Sequence, residues 1–376
     1  MATGGSNGVA KLPTQTPAGP HPVRLLDLFA GAGGLSVGFH RSGGDRIRVV
    51  GAVEADRAAA ATFSANFPDV PVYRGLIEDW LREETVPSAE IVVGGPPCQG
   101  FSTLGKRDED DERNGLWESY ADAVSRARPL YFVLENVPQF ARSDQFSLLR
   151  KQMRRGGLLE DYSFDIQILN AAHYGSAQLR KRVVVIGHRK DVPMPGFPQP
   201  TTPGESSWRT VADAWTGLGR VSQETRPPVR SVEFEGSRLA GPYVLSELHL
   251  MRRYKDISLR RFAAIPAGGN RTDLPDDLQM ECWRKHTSGA MDVMGRLSLG
   301  RPSVTIRTEF TKPEKGRYLH PHENRAITIA EGARLQGFPD DYKFVGSLTQ
   351  ITRQIGNAVP VELSSAIATH LLGQIL

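Results

Sequence analysis

The chain has 376 residues, 39% hydrophobic and 23% charged, and its 46 basic against 42 acidic side chains give a formal charge of +4. That is long enough for two domains with a sizeable core, in an ordinary soluble globular composition. It has no apolar run of about 18 residues, which excludes a helical membrane span, and its two cysteines make neither a disulfide framework nor a metal site.

Residues 1–22, rich in Gly, Pro, Thr and Ala, lack a secretion signal's apolar core and read as a disordered leader. The run VRLLDLFAGAGGLSVGF (23–39) then predicts a buried strand, a glycine turn and a helix start. RVVGAVEAD (48–56) predicts a second strand, followed by the alanine-rich helix RAAAATFSANF. AEIVVGG (89–95), PLYFVLENV (129–137), FDIQILNA (164–171) and RVVVIGH (182–188) predict further buried strands. Strands alternating with amphipathic segments imply a parallel sheet covered on both faces. From DVPMPGFPQPTTPGESS (191–207) the texture changes, as at a domain boundary. A second domain of mixed or irregular structure should follow, and AVPVELSSAIATHLLGQIL should close the chain as a helix.

DLFAGAGG sits after a strand and before a helix, where open α/β sheets bind ligands. A nucleoside-triphosphate loop is excluded because GxxxxGK[ST] is absent, and GxGxxG fails because Ser36 stands at its third glycine. An adenosine without phosphates remains, of which S-adenosylmethionine is the common form. Glu54, ending the second strand, is placed to accept hydrogen bonds from ribose hydroxyls. A tight turn plus a surface acid explains the same residues more blandly.

GGPPCQGFS (94–102) puts Cys98 behind Pro96 and Pro97, at the same sheet edge. The prolines fix φ and remove two amide donors, which is a way to present a side chain rigidly. Glu135 in ENV (135–137) ends another apolar strand, where a buried carboxylate needs a partner or a raised pKa. In QLRKR (178–182), Gln178, Arg180 and Arg182 should point to one side of a strand. Two guanidiniums and an amide suit an acid, a phosphate or a polar ring, with structural ion pairs as the plainer alternative.

Taken in order, DLFAGAGG, the glutamate of VEAD, GGPPCQGFS, ENV, QLRKR and the late GNAVP resemble the DNA cytosine-5 methyltransferases of bacterial restriction–modification type. The resemblance covers residues 24–190 and roughly 300–370. It implies a Rossmann-like α/β S-adenosylmethionine-dependent sheet (23–190 and 345–376), a hinge (331–344) and a smaller, irregular target-recognition domain (191–330). It implies that Cys98 adds as thiolate to carbon 6 of a flipped cytosine, making carbon 5 nucleophilic. Glu135 would stabilise charge at ring nitrogen 3, Asn136 would hold the strand end, and Arg182 and secondarily Arg180 would orient the base. Cofactor contacts carry over to Phe29, Ala30, Gly31, Gly33, Gly34, Leu35, Glu54, Ala55, Ile77, Pro96, Leu116, Asn357 and Ala358. Where the family often has Gly-Asp-Ile, this chain has Gly75, Leu76 and Ile77, so the Asp contact to adenine is missing unless Glu78 or Asp79 replaces it.

STLGKRDEDDERNGLW, after the cysteine, is long for a connection and should form a lid, with Lys106, Arg107 or Arg113 near phosphates. AIPAGGNRTDLPDDL and GRLSLGRPSVTIRTEF resemble segments around the family's target-recognition domain, and Cys282 should be structural. The implied partners are double-stranded DNA and, functionally, a cognate restriction endonuclease, for a cytoplasmic monomer. The alternatives are an RNA (tRNA) cytosine-5 methyltransferase and an inactive DNA-binding homologue.

Overall fold

The computed structural model describes residues 21–97, 115–285 and 291–376. Cys98, the lid with Lys106, Arg107 and Arg113, and the leader to residue 20 lie outside the described residues.

Among the described residues, eight strands precede residue 190: β1 (Val23–Leu28), β2 (Ile47–Glu54), β3 (Val72–Arg74), β4 (Ile91–Gly94), β5 (Tyr131–Asn136), β6 (Tyr162–Asn170), β7 (Gln178–Leu179) and β8 (Lys181–Arg189). Seven form one sheet in the order β3-β2-β1-β4-β5-β8-β6. The first five are parallel, whereas β8 runs antiparallel to both β5 and β6. The expected parallel sheet therefore ends in an antiparallel pair, because a short turn through residues 171–180 leaves no room for a crossover helix. β6 closes the edge half-exposed, with Ile168 at 53%.

The helices are α1 (Gly34–Gly43), α2 (Arg57–Asn66), α3 (Ile77–Glu83), α4 (Leu116–Ala127) and α5 (Asp144–Gln152), then α6 (Val211–Trp215), α7 (Asp256–Ala264) and α8 (Glu281–Lys285), and finally α9 (Ile329–Leu335), α10 (Leu348–Asn357) and α11 (Val361–Ile375). Alternation along the strands divides the core. Leu25, Ile91, Val93 and Val133 face α1, α2 and α11, while Leu26, Val92, Phe132 and Leu134 face α3, α4 and α5. Both sheet faces are thus covered, as near-continuous apolar strands require.

Beyond residue 190, two-residue β11 (Ser303–Val304) pairs with β7, and β9 (Ser231–Phe234) pairs with β10 (Ser237–Ala240). A third apolar cluster joins Val211, Tyr243, Leu245, Ile306 and Phe310 to Val37 of α1 and Ile355 of α10. A small fourth cluster holds Phe262, Ile265, Leu274, Leu278, Met294 and Leu319. Cys282 is exposed on the short α8. It packs no core, which corrects the structural role expected for it.

Candidate active site

Strand order reverses between β1 and β4, and the crevice outside their carboxyl ends is the switch point where open sheets bind ligands. A cavity of about 760 Å³ opens there. The chain leaves β1 through Phe29, whose φ of 56° is left-handed. For a bulky residue this costs roughly 1–2 kcal/mol, and such strain collects at functional sites. Gly33 (φ 83°) follows, and a Cβ on it would sit 2.9 Å from the Tyr342 hydroxyl. That hydroxyl donates to the Ala32 carbonyl, pinning the loop from below.

The glycine loop and Glu54 are coupled. Glu54 Oε2 accepts from the Gly31 amide at 2.8 Å, and Oε1 accepts from the Asp56 amide at 2.7 Å. Burial pushes the Glu54 carboxyl above its ordinary range despite those donors. Phe29, Ala30, Gly31, Gly34, Leu35, Glu54, Ala55, Ile77, Pro96, Leu116, Asn357 and Ala358 all line the cavity. Gly33 does not; it serves the turn and the close approach of Tyr342, Phe63 and Phe67.

β4 delivers Gly95, Pro96 and Pro97 beside this loop. Gly94 is required by packing, since a Cβ there would lie 2.6 Å from the Leu28 carbonyl oxygen. Asn136 fixes the outgoing chain: its Nδ2 donates to the Pro96 carbonyl at 2.9 Å, and its Oδ1 accepts from the Val137 amide. Asn136 thus holds the backbone two residues before Cys98.

Glu135 is the penultimate residue of β5, and antiparallel β8 begins at the same edge. Arg182 therefore meets Glu135, with Nε 2.8 Å from Oε1 in a nearly buried pair. A Cβ on Gly95 would stand 3.2 Å from Glu135 Oε2, so the glycine leaves that oxygen room. Both side chains line the cavity.

Gln178, Arg180 and Arg182 do share one side, as alternation predicts, but their tasks differ. Gln178 donates to the Leu335 carbonyl and Gln336 Oε1, and accepts from the Ile306 amide. Arg180 donates to the Ile306 and Gly356 carbonyls, and burial pulls its pKa well below the ordinary guanidinium value. Both hold the 305–308 segment in place, Gln178 tying it to the end of α9 and Arg180 to α10. Arg180 also borders the cavity.

Gly75, Leu76 and Ile77, where the family often has Gly-Asp-Ile, all line the cavity. Leu76 is 57% exposed at the cavity, and Asp79 pairs with Arg82. Glu78 lines the cavity with Oε2 buried and unpartnered among the described residues. Among the described residues, no group of three or more His, Cys, Asp or Glu side chains could hold a metal ion.

The sequence profile of the C-5 cytosine-specific DNA methylases matches residues 23–373. The chain belongs to that family. It is a DNA cytosine-5 methyltransferase, and DNA is its substrate. It is similar to Type II methyltransferase M1.HphI of Haemophilus parahaemolyticus, at 33% identity over 93% of this chain and 87% of the relative. Type II methyltransferase M.XorII of Xanthomonas oryzae pv. oryzae is also 33% identical, over 92% and 84%. A solved prophage-encoded DNA modification methyltransferase from E. coli superposes with a TM-score of 0.69 and 25% identity, over 94% of this chain and 99% of that one. No helix among the described residues is long and apolar enough to cross a membrane.

The methyltransferase places residues here that the motifs did not assign. Thr305, Ile306, Arg307 and Thr308 form one wall; they come from PSVTIRT, a segment placed near the target-recognition domain with no site residue assigned in it. Asp27 lies beneath the glycine loop at 0% exposure, and a charge inside the apolar run VRLLDLF was the available signal. Its Oδ2 accepts from the Ser36 hydroxyl at 2.6 Å, while Oδ1 has no partner. Ser36, the misfit in GxGxxG, is thus a buried donor.

Burial pushes the Asp27 carboxyl up to about 7, opposed by Ser36 and aided by Glu54. The unfolded chain ionises it near pH 4, so the folded state loses stability as pH rises from there to about 7. The slope is about 1.4 kcal/mol per pH unit at most. Asp27→Asn removes this titration. The melting temperature of the variant minus that of wild type should climb across that window and then level; a flat difference would refute the assignment.

Proposed function

We propose that this methyltransferase modifies cytosine within a short DNA sequence as the protective half of a Type II restriction–modification system, using S-adenosylmethionine. The observation that carries the site assignment is the Glu135–Arg182 pair at the mouth of the strand end that leads into Cys98. The cavity fits an adenosyl group: apolar Phe29, Leu76, Ile77 and Leu116 offer faces, Glu54 offers ribose acceptors, and Glu78 offers an orphaned oxygen. When bound, S-adenosylmethionine supplies an electrophilic methyl for carbon 5.

The chain's own residues prepare the base. A thiolate on Cys98 forms a bond to carbon 6, and the ring's π electrons move toward nitrogen 3. Glu135 meets that charge with a hydrogen bond or a proton, while Arg182 holds the carboxyl in place. Asn136 fixes Pro96, and so the approach of the nucleophile. After carbon 5 is methylated, its hydrogen leaves as a proton and the carbon–sulfur electrons return to Cys98. Residues 191–330 serve target recognition, with 331–344 as hinge, in a cytoplasmic monomer whose cognate endonuclease cuts the unmodified site.

Labelled S-adenosylmethionine incubated with unmethylated genomic DNA should label cytosines within one short recurring sequence. Label in tRNA but not in DNA would overturn the reading.

Glu78 replaces the missing Asp as acceptor for the adenine amino group. Glu78→Ala should raise the cofactor dissociation constant roughly tenfold, the scale of a hydrogen bond to a charged group. Turnover at saturating cofactor should hold. Unchanged affinity in calorimetric titration would refute this role.

A further inference from the structure

Four arginines line the cavity: Arg180, Arg182, Arg307 and Arg353. Arg180 spends Nη1 and Nη2 on two carbonyls and is buried, with only its Nε unpartnered, while Arg182 is paired with Glu135 and Arg353 with Asp56. Arg307 is exposed at the cavity mouth, and its guanidinium has no hydrogen bond or ion pair among the described residues. The Thr308 hydroxyl beside it is likewise unpartnered among them.

The two residues leading into them, by contrast, are clamped. The Ile306 amide donates to Gln178 Oε1 at 2.8 Å, and its carbonyl accepts from Arg180 Nη1 at 2.8 Å. The Thr305 carbonyl accepts from the buried Tyr318 hydroxyl at 2.9 Å, and the Thr305 hydroxyl donates to the Leu179 carbonyl. Gly356 lets α10 close against the same segment, since a Cβ there would lie 2.4 Å from the Arg307 carbonyl carbon. A free cation is displayed just after a hydrogen-bonded segment, so little backbone order remains to be lost on binding.

We infer that Arg307, assisted by Thr308, is a phosphate site for the DNA strand carrying the flipped cytosine. This rests on the proposed base-flipping reading. A nucleotide extruded about its backbone sends its base inward and leaves its flanking phosphates at the mouth. Inside, the cavity is lined by the carboxylates Glu54, Asp56, Glu78 and Glu135, which repel a phosphate, so a cation is needed at the rim. The guanidinium fork matches phosphate oxygens in pairs. Such a contact positions the strand without reading its sequence.

The test titrates full-length enzyme with a duplex containing its mapped target, and with an unrelated duplex, across a salt series. Arg307→Gln should weaken both roughly tenfold and reduce the slope of log affinity against log salt by about one. Cofactor affinity should stay unchanged. Arg307→Lys should keep the slope while losing part of the affinity, and it carries the test if the glutamine variant does not fold. An unchanged slope in Arg307→Gln, or a lost slope in Arg307→Lys, overturns the inference. So does a loss confined to the cofactor, which would make Arg307 an anchor for its carboxylate. Failure of the underlying reading shows separately, as wild type that methylates no DNA.

Discussion

Cys98→Ser should bind DNA like wild type yet lose turnover by about four orders of magnitude or more, the scale seen when a catalytic nucleophile is removed. Carbon 5 of cytosine is too weak a nucleophile to take a methyl group until something adds at carbon 6. A thiol near pKa 8.5 supplies a useful thiolate fraction at neutral pH, whereas a serine hydroxyl supplies almost none. The scaffold around the cysteine explains why DNA binding should survive. Asn136 anchors Pro96 through its carbonyl, and Gly94 seats β4 against β1; neither depends on the sulfur. Methyl transfer and gel-shift titration measure the two properties side by side. Retained methylation would remove Cys98 from the mechanism.

The second large effect belongs to Glu135. Glu135→Gln should cut turnover by about 10²–10⁴-fold, the usual range for a lost general acid or base. The amide keeps the carboxyl's size and can still accept from Arg182, so folding should hold. What it cannot supply is the proton or charge-matched bond at ring nitrogen 3. Single-turnover methylation with DNA and cofactor both saturating isolates that step. A loss under tenfold would show that nitrogen 3 is stabilised elsewhere.

Both effects trace to strand direction. Glu135 lies near the end of a parallel strand and Arg182 near the start of an antiparallel one, so residues separated by almost fifty positions meet at one sheet edge. Had β8 run parallel, Arg182 would lie at the opposite edge.

Much of this was readable from local pattern. β1, β2, β4 and β5 are short apolar runs ended by Phe29, Glu54, Gly95 and Glu135, and their ends converge because parallel strands share an edge. The direction of β6 and β8 was not readable, since apolar runs carry no sign of orientation. β3 escaped because VYR is three half-buried residues. The roles of Gln178 and Arg180 were hidden for another reason: their partners, Ile306, Gln336 and Gly356, lie more than 120 residues away. Glu78 was visible as one of two candidates, and its place in the cavity lining, its unpartnered Oε2 and the pairing of Asp79 with Arg82 are what favour it.

The central claim is a transient bond between one sulfur and carbon 6 of the target base, and trapping measures it most directly. A duplex with 5-fluorocytosine at the mapped target, given S-adenosylmethionine, cannot lose fluorine as it would a proton. The enzyme should therefore become irreversibly joined to that duplex, with the modified peptide containing Cys98. Full methyl transfer without any adduct, or an adduct on another residue, would contradict the account.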